Sequence, residues 1–287
     1  MKHTWLFVPA DDEARINKAL ASAADAVILD LEDGVGDDCQ KKADAREILG
    51  RLFHRRDLDR SRCYVRINAL PSDEAELDLQ IAVAGGAAGV VLPKCEGPTD
   101  IERLAERLTR LEAHHAGAGA APTSIVAIVT ETARGVQLLS TFVHELPRLE
   151  ALMWGAEDLR SDLGGWSNRG PDDAYIGPYA LARDACLLAA RAAGVSAIDA
   201  VYTAFRDTEG LKRESQAHRA LGFDGKAAIH PGQLAPIKES FRPTHTQIAW
   251  ANRVVEAFET SHGATALDGA MIDAPHIKLA RKILLSI

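Results

Sequence analysis

The chain has 287 residues, 47% of them hydrophobic and 26% charged, with a formal net charge of −8 at pH 7. That composition suits a globular chain long enough to bury one large core, and it excludes a disordered or membrane-embedded one. The negative balance argues against nucleic acid as a partner, because binding phosphates calls for a basic footprint. An anionic small substrate would have to be held by local arginine, lysine or metal. The four cysteines, Cys39, Cys63, Cys95 and Cys186, lie far apart with no Cys-x-x-Cys spacing. They read as reduced thiols and not as a disulfide frame or zinc site. The apolar run Trp5–Val8 is too short for a signal peptide and leads into Asp11-Asp12-Glu13. No segment approaches the length of a membrane span, so the cytoplasm is the expected compartment.

Thr4–Val8 predicts a first strand that stops at Pro9, and Asp11–Ala21 follows with helical spacing at Ala14, Ile16 and Leu20. Ala26–Leu31 predicts a second strand ending in Asp30-Leu31-Glu32-Asp33-Gly34, and Gln40–Phe53 a helix with Ala43, Ile48 and Leu52 on one side. Cys63–Ile67 predicts a third strand ending Arg66-Ile67-Asn68, Glu74–Ala84 a helix, and Gly89–Leu92 a fourth strand ending Pro93-Lys94. Thr99-Asp100-Ile101-Glu102 has the pattern of a capping box opening a helix to about His115. Ala116–Thr123, rich in Ala, Gly and Pro, reads as a surface connection. Ile125–Val129 and Leu149–Trp154 are β-rich runs that stop at Thr130-Glu131-Thr132 and Gly155-Ala156-Glu157-Asp158. Between them Gly135–Leu146 carries Val136, Leu139, Phe142 and Val143 at helical spacing, and Pro147 ends it. Pro178–Ala193 predicts a helix, Ala197–Tyr202 a seventh strand, Leu211–Leu221 a helix and Lys226–His230 an eighth strand. Past Pro243, Thr246–Thr260 is a helix with an apolar side, Ser261–Gly269 reads as a flexible connection, and an amphipathic helix follows Asp273-Ala274-Pro275.

This alternation predicts an α/β fold, a closed (β/α)8 TIM barrel over residues 1–243, with a C-terminal helix and lid segment over residues 244–287. An open doubly wound sheet is the competing architecture. No strand is followed by G-x-G-x-x-G, however, and Gly85-Gly86 comes before the fourth strand, where a turn belongs. In a parallel barrel the carboxyl ends of the strands open onto one mouth. That gathers Asp30, Glu32, Asp33, Arg66, Asn68, Lys94, Glu131, Glu157, Asp158 and His230. Glu131 and Asp158 leave consecutive strands with no cation beside them in the local sequence. Two such carboxylates repel unless a proton or a metal separates them, and oxygen ligands on rigid strand ends suit Mg²⁺. A plainer reading makes one of them a helix cap and the other a surface charge. Lys94 and Asp30 would fit structural ion pairs within the mouth, and His230, before Pro231, a packed loop histidine. There is no G-x-S-x-G, no P-loop and no local Cys–His signature.

The ordered motifs Leu6-Phe7-Val8-Pro9, Leu29-Asp30-Leu31-Glu32-Asp33-Gly34-Val35, Val65-Arg66-Ile67-Asn68, Leu92-Pro93-Lys94, Glu131-Thr132-Ala133-Arg134-Gly135, Trp154-Gly155-Ala156-Glu157-Asp158-Leu159, Ile229-His230-Pro231-Gly232-Gln233 and Gly269-Ala270-Met271-Ile272-Asp273 resemble the citrate lyase β-subunit family. That family includes malyl-CoA and citramalyl-CoA lyases, and the resemblance spans nearly the whole chain. It implies a (β/α)8 barrel with a C-terminal extension, generally trimeric, in which the extension of one subunit caps the mouth of its neighbour. It also implies that Glu131 and Asp158 bind Mg²⁺, that Arg66 contacts the reacting oxygens and that Asp273 is an acid/base carried on the lid. Where many members have a basic residue after the first strand, this chain reads Pro9-Ala10-Asp11-Asp12-Glu13. Arg15 and Lys18 are the nearby cations left to meet the phosphates of coenzyme A.

The expected reaction is cleavage of a 3-hydroxy-3-carboxyacyl thioester, of citramalyl-CoA or malyl-CoA type, to a 2-oxo acid and a short acyl-CoA. Arg66 is a permanently charged fork suited to developing oxygen charge, Asp273 would move the proton, and Glu32 and Asp33 would position water around the metal. Two alternatives are a citrate lyase β subunit that acts on a citryl carrier protein inside a larger complex, and a metal-dependent 2-oxo-acid aldolase without coenzyme A. The long extension past Pro243 disfavours the aldolase.

Overall fold

The computed structural model describes residues 2–115, 121–261 and 264–286. All eight expected barrel strands form, as β1 (Thr4–Pro9), β2 (Ala26–Asp30), β3 (Cys63–Arg66), β4 (Gly89–Leu92), β5 (Ser124–Ile128), β6 (Leu149–Met153), β7 (Ser196–Asp199) and β8 (Gly225–Ala228). Each pairs in parallel with its neighbour in sequence, and β8 pairs back onto β1 to close the barrel. Strand geometry sends alternate side chains to opposite faces. Trp5, Ile28, Tyr64, Val91, Val126, Ile128, Met153 and Ile198 therefore fill the interior. The same alternation carries Asp30 and Arg66, the last residues of β2 and β3, into the mouth, where the strand register sets them opposite each other.

The helices α1 (Glu13–Leu20), α2 (Cys39–Phe53), α3 (Glu74–Ala84), α4 (Pro98–His115), α5 (Ala133–Leu138), α6 (Glu157–Asp162), α7 (Gly177–Ala192) and α8 (Thr208–Leu221) connect these strands. Side-chain caps fix several of their starts: Asp12 accepts the Arg15 N–H, Asp38 that of Lys41, Thr132 that of Gly135 and Asp207 that of Gly210. Three connections differ from expectation. The helix α4 opens at Pro98, ahead of the expected capping box, and Asp100 instead accepts the Glu96 N–H at 2.9 Å. The helix expected over Gly135–Leu146 stops after α5 and one 3₁₀ turn, Leu139–Thr141. There Thr141 Oγ1 donates to the Leu138 carbonyl, the local competition that makes hydroxyl residues poor helix formers. Leu139 and Phe142 are still buried, but Val143 is 67% exposed. Third, the short helix α6 had no counterpart in the apolar pattern.

The chain divides into two compact units, Lys2–Ile237 and Lys238–Ile287, and α9 (Leu234–Phe241) spans the boundary. The second unit has a core of its own, in which Ala251 and Val254 of α10 (His245–Ser261) meet Ile277 and Ala280 of α11 (Ala274–Leu284), with Ile272 beside them. The stretch expected as a flexible connection is instead an antiparallel hairpin, β9 (Thr265–Leu267) with β10 (Ala270–Ile272). Its turn is Asp268-Gly269, with φ of 53° and 80°. Asp-Gly is the residue pair that tolerates two successive left-handed conformations, so the signal was present in the sequence. Residues 262–263 of that stretch, and 116–120 of the expected surface connection, lie outside the described residues. Among the described residues no helix is long and apolar enough to cross a membrane.

Candidate active site

Arg66 is the best-anchored group in the mouth. Its Nε and Nη2 donate to the two oxygens of Asp30 at 2.7 and 2.6 Å, and its Nη1 lies 2.9 Å from Glu32 Oε2. Asp30 also accepts the N–H groups of Glu32 and Gly34, so the chain leaving β2 folds back over the strand end and presents Glu32 to the same guanidinium. Arg66 lies against the Phe7 ring, 5.0 Å from its centre. Burial opposes its charge, but Asp30, Glu32 and Glu131 outweigh burial and keep the guanidinium protonated. Asp30 and Lys94 both form the expected ion pairs within the mouth, with separate partners. Arg66 takes Asp30, and Lys94 Nζ bonds Glu32 Oε1.

Glu131 and Asp158 leave β5 and β6 through two chain exits that are stapled together. The buried Thr130 hydroxyl accepts the Gly155 N–H at 2.8 Å and donates to the Gly155 carbonyl at 3.1 Å. Asp162, at the end of α6, accepts the Ala133 N–H at 2.7 Å. A Cβ at Gly155 would lie 3.2 Å from Glu131 Cγ, so a larger residue there would press on the Glu131 side chain. Glu131 is 4% exposed, and its Oε2 accepts the backbone N–H of Lys94 at 2.6 Å. Lys94 makes that bond from a left-handed backbone with φ of 50°, a strained state for a residue with a Cβ and one that collects at functional sites. Burial first, then Asp158 and Glu32, pushes the Glu131 carboxyl up to about 8, against the pull of Arg66 and the Lys94 N–H. Lys94 Nζ stands 3.9 Å from Asp33 and 4.0 Å from Asp158.

Five carboxylates, Asp30, Glu32, Asp33, Glu131 and Asp158, thus share two cations, Arg66 and Lys94. Oxygen donors on adjacent, stapled strand exits with a surplus of negative charge fit a hard divalent cation, and Glu131 and Asp158 would hold it. The plainer reading of these two residues fails. Thr132, not Glu131, caps α5; Ala156 occupies the N-cap position of α6; and Glu131 is buried.

The remaining expected residues separate. Arg15 and Lys18 line a cavity of about 660 Å³ together with Phe7, Arg66, Asp158 and His230, which brings the cationic side of α1 to the mouth. Arg15 is also tied to Asp12 at 3.0 Å. His230 is a loop histidine, whose Nδ1 accepts the Gly232 N–H at 3.0 Å and whose ring packs 5.3 Å from that of Phe205. Asn68 does not reach the mouth. It bonds Asp78, Lys42 and the Leu31 carbonyl in a buried network behind the sheet, because β3 ends at Arg66 and the alternation ends with it. Asp273 sits in the second unit at the N-cap position of α11, with Oδ1 2.7 Å from His276 Nδ1. Sequence reasoning missed the Thr130–Gly155 and Ala133–Asp162 staples, whose partners are 25 and 29 residues apart and follow no local spacing.

A model of the HpcH/HpaI aldolase/citrate lyase family matches residues 3–231. The citrate lyase subunit beta-like protein of Mycobacterium tuberculosis is 40% identical over 282 residues, which cover 98% of this chain and 93% of that protein. The mitochondrial citramalyl-CoA lyase of Rattus norvegicus is 34% identical, covering 97% of this chain and 83% of that protein. A (3S)-malyl-CoA thioesterase of Cereibacter sphaeroides is 35% identical, covering 97% and 92%. The crystal structure of CitE from Mycobacterium tuberculosis in complex with magnesium, acetoacetate and coenzyme A superposes with a TM-score of 0.81 at 38% identity, covering 99% of this chain and 97% of that one. The chain belongs to the HpcH/HpaI aldolase/citrate lyase family, a family of carbon–carbon lyases.

Proposed function

We propose that the chain cleaves a 3-hydroxy-3-carboxyacyl-CoA of the citramalyl or malyl type, with Mg²⁺ on Glu131 and Asp158, giving a 2-oxo acid and a short acyl-CoA. The observation that carries this reading is the crowding of carboxyl groups in the mouth around a buried Glu131, whose own carboxyl burial, Asp158 and Glu32 push up to about 8. A bound Mg²⁺ would make the substrate hydroxyl more acidic and offset the charge of its carboxylate. Arg66, its Nε–Nη2 fork held by Asp30 and its Nη1 beside Glu32, keeps a fixed positive charge near the oxygens on which charge develops, with its remaining Nη hydrogens free to meet them. Asp273 takes the hydroxyl proton. The C–O bond becomes the carbonyl of the 2-oxo acid, the C2–C3 electron pair passes to the thioester enolate, and a returned proton gives the acyl-CoA. Glu32 and Asp33 orient water around the cation. Arg15 and Lys18 meet the phosphates of coenzyme A in the cavity they share with Arg66.

Asp273 acts, in this proposal, in the mouth of a neighbouring subunit of a homotrimer. Its place after a hairpin whose Met271 is 69% exposed supports a lid that closes over substrate. The similarity to a malyl-CoA thioesterase supports a second reading, hydrolysis of the thioester. Incubating the purified chain with Mg²⁺ and citramalyl-, malyl- or citryl-CoA separates these readings. Release of 2-oxo acid without free thiol is the expected result. Free thiol without 2-oxo acid makes the chain a thioesterase, and silence with free CoA esters but turnover of a citryl carrier protein makes it a complex subunit.

A further inference from the structure

The Asp158 carboxylate has no hydrogen bond among the described residues, and its nearest cation, Lys94 Nζ, is 4.0 Å away. The position of its oxygens is therefore decided by what holds α6. This helix has six residues and an alanine at its N-cap position, too little to fix itself in place. Two of its ties are the staples to the chain leaving β5, at Thr130 and Ala133. The third comes from the segment between α6 and α7. Asn168, 6% exposed, donates from Nδ2 to Glu157 Oε1 at 2.8 Å, one residue from Asp158.

Arg169 pins that segment. Its guanidinium donates to the Asp173 carbonyl at 2.7 Å, to the Tyr175 hydroxyl at 2.7 Å and to Glu214 Oε2 at 2.6 Å, and it stacks 4.0 Å from the Tyr175 ring. Glu214, on α8, is held in turn by Lys226 Nζ at 2.9 Å, and the same ammonium lies 2.5 Å from Asp199 Oδ2. Asp199 accepts Trp154 Nε1 at 2.7 Å and faces His218 Nδ1 at 2.8 Å. Asp199, Glu214 and His218 have the composition of a metal site, but Lys226 already supplies the cation between the two carboxylates. The network is thus a frame built outside the barrel against β7 and β8. It grips the β6–α6 connection at Trp154 and at Glu157.

We propose that Arg169 is a positioning residue for Asp158, holding the Asn168–Glu157 tie and through it the separation of the two metal-binding carboxylates. This rests on the reading of Glu131 and Asp158 as metal ligands. The test is Mg²⁺ binding to the substrate-free protein by calorimetry, for Arg169→Leu, Asn168→Ala, the double variant and Glu131→Ala, with circular dichroism as the check on folding. Groups that orient metal ligands are worth roughly 10- to 100-fold in affinity. We expect each single variant to lose about 10-fold and the double to lose no more than the worse single, because the two residues act in series. If Arg169→Leu fails to fold, Asn168→Ala, which cuts one surface of the frame and leaves its ion pairs intact, decides the matter. Wild-type affinity in folded Asn168→Ala, beside lost binding in Glu131→Ala, overturns the positioning role alone. Wild-type affinity in Glu131→Ala overturns the metal reading and this inference with it.

Discussion

If Glu131 is a magnesium ligand, as proposed, metal binding and acidity should be coupled through it. In the metal-free protein burial, Asp158 and Glu32 push its carboxyl from the ordinary 4.5 up to about 8, so near pH 7 the protonated form is favoured there. Mg²⁺ has to displace that proton. Its apparent affinity should therefore rise about tenfold per pH unit below 8, bend near 8 and level off above it. Calorimetry in buffers of different ionisation enthalpy should count about one proton released per ion near pH 6.5 and close to none near pH 9. Stability carries the same signature with a definite sign. A carboxyl whose pKa is raised on folding leaves the metal-free fold unpenalised below 4.5 and costs it stability as pH rises through about 8. Moving one buried carboxyl over that range is worth ~5 kcal/mol at ~1.4 kcal/mol per pH unit, as an order of magnitude. Thermal melts without metal should fall across this window, and added Mg²⁺ should raise Tm most at its alkaline end. Glu131→Gln, which cannot ionise, should flatten both curves. A proton count near zero at about pH 6.5, or melts independent of pH from about 5.5 to 8, refutes the assignment.

Arg66→Lys keeps the charge but loses the fork on Asp30, and should lower kcat by about 100-fold while KM changes far less; steady-state kinetics showing a pure KM effect would make Arg66 a substrate anchor. Thr130→Val keeps the shape but leaves the Gly155 N–H and carbonyl without the hydroxyl, and should cost ~1–3 kcal/mol in chemical denaturation as well as weakening Mg²⁺ binding. Mixing Asp273→Ala with Glu131→Ala subunits should restore part of the activity, since some mouths would then pair an intact metal site with an intact lid. No recovery despite demonstrated subunit exchange would place Asp273 elsewhere.

The barrel was legible because its strands are short β-branched runs, such as Ala-Val-Ile-Leu-Asp and Ser-Ile-Val-Ala-Ile, that end abruptly in charge. What failed were arguments that extended a period beyond its element. Continuing the alternation past Arg66 put Asn68 in the mouth, while the strand stops at Arg66 and the side chain turns outward to Asp78. Continuing β7 to Tyr202 hid the fact that Asp199 is its last residue and points away from the barrel interior, into the frame with Lys226. The frame itself was out of reach, because Trp154, Arg169, Asp199, Glu214 and Lys226 come from five separate segments and meet only once the sheet has closed. Glu131 was legible as a ligand candidate, but its burial and its bond to a left-handed Lys94 depend on tertiary structure.

The acidic inner mouth also imposes an order in time. A hydroxyacyl-CoA is itself a polyanion, and it approaches a chain of net charge −8 whose reacting end is lined by carboxylates. On the proposed reading, its last few ångströms would be uphill until a divalent ion offset that surplus, so the ion should arrive first and the thioester second. The encounter should quicken as added salt shortens the reach of the repulsion, to about 10 Å at 0.1 M. A basic, steered site behaves in the opposite way. If so, an unloaded mouth would turn anionic metabolites away, and availability of the ion would decide when the site is open for traffic.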